Sequence, residues 1–206
     1  MNKKLIVRIA EGLGNQLFMY ANGYALSKKL NYQLYLDNTS GYFKKKNMIR
    51  YYELDKFHIS QNLVERNQKF DSHFKDIKRK VLKKLNIFKN KKIFLIENRG
   101  VNKLTSYKDY SNINFANILF VEGHFESEKF FFKYSNDIKN KFIVHAKYLE
   151  KNNKYVDLLK NNNSVSICIR QNRFSEGQSV NDYKSKEFTL KTIKYIKKSI
   201  AYIKDK

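Results

Sequence analysis

At 206 residues the chain can bury one good core, or one domain and part of another. Its 42 Lys and Arg against 19 Asp and Glu give a formal charge of +23, and a single cysteine, Cys168, excludes an intramolecular disulfide and fits a reducing compartment. The longest uncharged stretch, residues 12–27, holds Asn15, Gln16 and Asn22 and is too short and too polar to span a membrane.

Leu5 to Ala10 is an apolar run broken only by Arg8, and it reads as a first, central β-strand over 5–10 of a parallel sheet. Arg8 also interrupts any signal-peptide pattern behind Lys3 and Lys4. The next stretch, Glu11-Gly12-Leu13-Gly14-Asn15-Gln16-Leu17-Phe18-Met19-Tyr20-Ala21, opens into a helical period that predicts a helix over 15–29. Strand, glycine turn and helix aim backbone N–H groups at a ligand, and glycines let that ligand approach the chain. Gly12, Gly14, Asn15 and Gln16 are therefore candidate binding residues, with the two amides expected to face the cleft. The dinucleotide fingerprint is incomplete, because Phe18 and Met19 stand where small residues would be needed. A tight turn capped by Asn15 is the plainer alternative.

Lys28 and Lys29 suit a helix C-terminus, and Tyr32 to Leu36 forms a second strand ending at Asp37. A carboxylate there can meet a ribose, but the incomplete fingerprint favours a solvated strand end. In the loop-rich segment Arg50-Tyr51-Tyr52-Glu53-Leu54-Asp55-Lys56-Phe57-His58-Ile59, the apolar side chains Leu54, Phe57 and Ile59 should pin a loop to the domain, and His58 reads as structural. From 63 to 88, Phe70, Phe74, Ile77, Val81, Leu85 and Phe88 recur at helical spacing beside many lysines. Such a basic amphipathic helix can lie on a membrane or bind nucleic acid, but a surface helix with a solvated polar face is the plain expectation.

Ile93 to Glu97 and Ile118 to Glu122 read as third and fourth strands. Gly123-His124-Phe125-Glu126-Ser127-Glu128-Lys129-Phe130-Phe131 follows, with Ser127 and Glu128 placed to cap a helix, and helical patterns run on to Leu159. Asn161 to Asn163 is the best domain boundary. A strand over 164–169 then leads into Arg170-Gln171-Asn172-Arg173 and a final amphipathic helix carrying Leu190, Ile193, Ile196 and Ile200. An arginine just past a strand can grip a phosphate with two parallel hydrogen bonds, and Arg173 can add a second cation. Cys168, between Ile167 and Ile169, reads as a packing residue with no partner that would mark a nucleophile. No DxD, HExxH or CxxC occurs, so metal catalysis has no support in the sequence.

Taken in order, GLGNQLF-Y-A, the 50–59 segment, the 123–131 segment and the strand before Arg170 resemble the motifs of the alpha-1,2-fucosyltransferases, glycosyltransferase family 11. The departures are Glu11 for a glycine, His124 for an aromatic and Glu126 for a glutamine in the 123–131 segment, and Cys168, Gln171, Asn172 and Arg173 around the central arginine. The resemblance implies an α/β fold of the two-domain GT-B type. A Rossmann-like N-terminal domain would cover residues 1–160, and 161–206 would begin a C-terminal donor-binding domain, with the chain truncated relative to the family. It implies transfer of L-fucose from GDP-fucose to the 2-hydroxyl of a galactose-containing acceptor glycan, with inversion and without a metal or other cofactor. Arg170 would be the catalytic cation at the diphosphate, with Arg173, Gly12, Gly14, Asn15 and Gln16 lining the substrate site. Glu11, Asp37 and Glu176 are candidates for the base. The charge leaves a second reading, a basic nucleic-acid-binding protein without catalysis, and a third, a fragment that no longer catalyses. No specific nucleic-acid partner is expected, because cations occur throughout rather than in a reader motif. The expected location is cytoplasmic, with peripheral contact to the anionic inner face of a membrane.

Overall fold

In the computed structural model, residues 3–44, 50–60, 62–97, 110, 112–150, 153–163, 167 and 182–204 are described. They fall into two compact units, 1–151 and 152–206.

The first unit is built on a five-stranded parallel sheet in the order β3-β2-β1-β5-β4. The strands are β1 (Lys4–Arg8), β2 (Gln33–Asp37), β3 (Asn62–Leu63), β4 (Lys92–Ile96) and β5 (Phe115–Glu122). The central position of β1 follows from its apolar content, since Leu5, Ile6 and Val7 are all buried and only a strand covered on both faces can use such a run. This bears out the expected central parallel strand, and the α/β, Rossmann-like architecture with it. The two-residue β3 was not foreseen, being too short to carry a period.

Helix α1 (Leu13–Leu30) packs on one face of the sheet. It begins at Gly12 and ends at Asn31, whose left-handed backbone (φ 55°) closes the last turn with Lys28 and Lys29 nearby. Its buried Met19, Tyr20, Ala21 and Leu26 join Leu5, Val7, Ile9, Leu36, Leu95, Leu119 and Val121 in the main core. Leu54, Phe57 and Ile59 are buried in it too, as expected for the 50–59 segment. On the opposite face, Phe70, Phe94 and Phe120 form a ring cluster with centroids 5.1–6.2 Å apart.

Helix α2 (His73–Leu85) is shorter than the expected 63–88 helix, being preceded by β3 and a 3-10 turn and followed by a second 3-10 turn over Asn86–Phe88. Ser72 sets its start by accepting a hydrogen bond from the Lys75 N–H (3.3 Å). Its orientation is opposite to that implied by its pattern: the polar side faces the protein. After β5, Ser127 makes no side-chain cap, and the chain passes through 3-10 turns into α3 (Ser135–Lys141) and α4 (Ala146–Leu149).

In the second unit, α5 (Asn153–Lys160) and α6 (Asp182–Lys204) are helical, the latter over the expected final amphipathic segment. The expected strand 164–169, apart from residue 167, lies outside the described residues, as do Arg170 and Arg173. Among the described residues, no helix is long and apolar enough to cross a membrane.

Candidate active-site cleft

A cleft of 230 Å³ opens at the carboxyl ends of three strands, lined by Arg8, Ala10 and Glu11 at and after the end of β1, Ile96 and Glu97 at the end of β4, and Glu122, Gly123 and His124 at the end of β5. Met19 of α1 closes it from the side. The carboxyl edge of an open parallel sheet, where the strand order turns, is where such folds place ligands. Here the chain leaves β1 outward to β2 and β3, while β5 and β4 occupy the other side.

The glycine turn sits at this edge. Glu11 adopts a left-handed backbone, φ 65°, which is unfavourable for a residue with a side chain. It is held there from several directions. Its carboxylate accepts a hydrogen bond from Arg50 Nη1 at 3.0 Å, and its carbonyl accepts bonds from Gln16 Nε2 and the Tyr42 hydroxyl. The strain explains why a glycine is at home at this position and what it takes to hold a glutamate instead.

Beyond it, Gly12 has an ordinary extended backbone (φ −79°) and provides no side-chain cap, and the first turn of α1 carries no acidic residue. A Cβ added at Gly12 or Gly14 would meet nothing within 4 Å. Neither backbone strain nor internal packing therefore requires glycine at these two positions. What they leave is open space above the first N–H groups of an 18-residue helix, which have no partner within the helix.

Asn15 is half-buried in the same turn. Gln16 has a different role from the expected one. It is fully buried, and its amide is committed to backbone: Nε2 donates to the Glu11 and Tyr51 carbonyls (3.0 and 2.8 Å), and Oε1 accepts from the Glu53 N–H (2.9 Å). It binds the glycine turn to the 50–59 loop rather than facing the cleft.

Asp37 is likewise not a solvated strand end. It is buried, and its Oδ1 accepts from the Thr39 and Ser40 N–H groups (3.2 and 3.0 Å), closing the turn after β2. Of the three carboxylates considered as the base, Glu11 borders the cleft, Asp37 serves this turn, and Glu176 lies outside the described residues.

Arg8 was not anticipated. Its guanidinium lies in the cleft wall, where Nη2 donates to the Ser40 carbonyl (2.9 Å) and the buried Nε has no partner. Burial pushes its pKa down and the nearby Glu122 carboxylate pushes it back up. The sequence did carry a signal, since a lone cation at the end of an otherwise apolar central strand must be facing something polar.

Below it lies an ion network. Arg79 Nη1 donates to both Glu122 oxygens (2.9 and 2.7 Å), its Nε and Nη2 donate to Asp76 Oδ1 (3.1 and 2.7 Å), and Lys83 donates to Glu122 Oε2 (2.7 Å). Lys44 also pairs with Asp76. Burial raises the pKa of both carboxyls, but their cationic partners outweigh it: Glu122 is lowered and Asp76 lies far below the usual range. On the far side Glu97 accepts the N–H groups of His124 and Phe125 (2.7 and 3.0 Å), fixing the turn after β5 in which Phe125 is left-handed (φ 53°).

Over 98% of its length the chain is 29% identical to an alpha-1,2-colitosyltransferase of Escherichia coli. The chain spans 64% of that relative's length. The relative's name states the alpha-1,2 linkage that the motif resemblance implies, with colitose in place of fucose. No protein-family model matches the chain, and no solved structure does.

Proposed function

We propose that the chain is a glycosyltransferase, or the greater part of one, that moves a deoxysugar from a nucleotide-diphosphate donor to a glycan hydroxyl. In its finer form the proposal is transfer of L-fucose from GDP-fucose to the 2-hydroxyl of a galactoside, with inversion, in a GT-B arrangement and without a metal. The supporting observation is the unfilled space over Gly12 and Gly14 at the carboxyl edge of the sheet, in a chain alike over nearly its whole length to an enzyme of that linkage.

In the reaction the acceptor oxygen forms a bond to the anomeric carbon as the carbon–oxygen bond to the diphosphate breaks. The acceptor proton passes to a base, and the charge that gathers on the diphosphate needs fixed donors. Arg170 is assigned to that charge on its sequence pattern, with Arg173 as a second cation. Gly12, Gly14 and Asn15, in the turn that follows the cleft residue Glu11, offer backbone and amide donors to a substrate in the first unit, Arg8 supplies a cation in the cleft wall, and Gln16 positions the turn. Electrostatics of this kind do without a metal, so a chelator should leave the rate unchanged.

Donor identity is the finer question. Colitose is L-fucose lacking the 3-hydroxyl. A site that hydrogen-bonds this hydroxyl rejects the deoxy sugar by a factor on the order of 10⁴, whereas a site that merely encloses it discriminates weakly. The test is incubation with GDP-fucose and GDP-colitose in competition, lactose as acceptor, and determination of the product linkage by NMR. Alpha-1,2-linked product from either donor supports glycosyl transfer, and the fucose form of the proposal requires GDP-fucose to win. No transfer and no saturable binding of either donor would overturn it.

A further inference from the structure

Helix α2 is mounted the wrong way round for a globular core. Its polar residues Asp76, Arg79 and Lys83 face the protein, with Asp76 only 2% exposed and both cations engaged in the ion network. Its apolar residues are on the other side. Phe74 is 88% exposed and Phe88, in the following 3-10 turn, is 85% exposed, and Ile77, Val81, Leu85 and Ile87 are exposed with them. The spacing of 74, 77, 81, 85 and 88 places these side chains in one stripe along the helix and its extension. A contiguous stripe of this kind marks an interaction surface rather than scattered surface residues.

Around the stripe the charge has one sign. Lys78, Lys80, Lys84, Lys89 and Lys91 are exposed, and the one carboxylate of the helix, Asp76, is the residue turned inward. A second copy of this chain would bring a like-charged rim against it and carries +23 itself, so self-association works against electrostatics. An anionic bilayer answers both features, with acyl chains for the phenylalanines and aliphatic residues and lipid phosphates for the lysines.

We infer that α2 and the turn after it, residues 74–91, form an interfacial anchor that seats the protein on an anionic lipid surface. Phe74, Ile77, Val81, Leu85 and Phe88 enter the headgroup boundary, and Lys78, Lys84, Lys89 and Lys91 lie at the phosphates. The ion network beneath holds the helix in this inverted orientation.

The protein contains no tryptophan, so a single tryptophan reports the anchor alone. Phe88→Trp in the full chain, mixed with vesicles of 70% phosphatidylcholine and 30% phosphatidylglycerol, should shift its emission to the blue and be quenched by lipids brominated along the acyl chain. Pure phosphatidylcholine should bind at least tenfold more weakly. Phe74→Ser with Val81→Ser, both at exposed positions, should preserve the circular dichroism spectrum and lower vesicle affinity at least tenfold. Lys78→Gln with Lys84→Gln should weaken binding to the anionic vesicles alone. The inference is overturned if the protein sediments with anionic vesicles but the tryptophan is neither shifted nor quenched, because that is charge attraction without insertion. It is overturned equally by a blue emission without lipid that grows with protein concentration, which would mean a second copy covers the face. A blue emission at every dilution, with no response to vesicles, would mean the chain covers it itself, and would also overturn the inference.

Discussion

Gly14 and Gln16 stand two residues apart and are constrained for opposite reasons. Gly14 lies in open space at the second position of a helix, where alanine is the better helix former. Gly14→Ala should therefore leave the fold intact or raise stability by up to about 1 kcal/mol in urea unfolding. If the space belongs to substrate, the same change should weaken substrate binding by about tenfold or more, equivalent to about 1.4 kcal/mol. Unchanged donor and acceptor affinity in a folded Gly14→Ala would remove the glycine turn from the site. Gln16→Ala has the reverse profile: it leaves the Glu53 N–H and two carbonyls without their buried partner and should cost about 1–3 kcal/mol. Its effect on activity should follow loosening of the 50–59 loop. For Arg170 the expectation is kinetic. Arg170→Ala should lower kcat by on the order of 10²–10³ with little change in melting temperature, and Arg170→Lys should restore part of it. The glycines and Gln16 share one short motif, and spacing alone assigns both to a ligand. Only burial separates the residue that meets open space from the one that ties two loops together.

At the scale of elements, α1 on β1 was legible and α2 was not. The strand–glycine–helix pattern fixes the first pair because both elements are apolar where they meet. How closely they meet depends on Gly23, where an added Cβ would stand 2.3 Å from Val7 Cγ2. Gly23→Ala should cost about 1–3 kcal/mol through overpacking. The double change with Val7→Ala should recover part of that loss, which a double-mutant cycle would read as a coupling between the two sites. For α2, periodicity correctly found an amphipathic helix but could not say which side faces the protein, and the apolar side is the usual default. The exception comes from Glu122, a carboxylate at the end of a buried strand that draws Arg79 and Lys83 inward. Glu122 and Asp76 both titrate below their unfolded values, so their contribution to stability is complete above roughly pH 5 and is lost as pH falls through 4 and below. Arg79→Met should cost about 3–5 kcal/mol at neutral pH by leaving both carboxylates short of a partner. It should also flatten the acid limb of the stability profile, measured as unfolding midpoint against pH.

For the whole molecule, the charge of +23 predicts binding to any polyanion that weakens steeply with salt. Because the cations are distributed over the chain, no duplex sequence should be preferred by more than about 10³ at physiological salt. A competition titration with unrelated duplexes checks this, and a defined footprint would favour the nucleic-acid reading over glycosyl transfer.

The sequence by itself determined the α/β class, the central strand, the glycine turn at its end and the helix that follows. These are local matters, set by runs, periods and backbone permissions within some thirty residues. The tertiary structure decided where the polar groups point. Arg8 appears in sequence only as an interruption and becomes a cation in the cleft wall, Asp37 and Gln16 become buried ties, and α2 turns its charges inward. Asp37 is tied locally, by Thr39 and Ser40, but the others depend on partners far along the chain: Ser40 for Arg8, Tyr51 and Glu53 for Gln16, and Glu122 for α2. Burying a charge or amide is tolerable only once its partner has been brought within hydrogen-bond reach, and spacing along the sequence does not encode that distance.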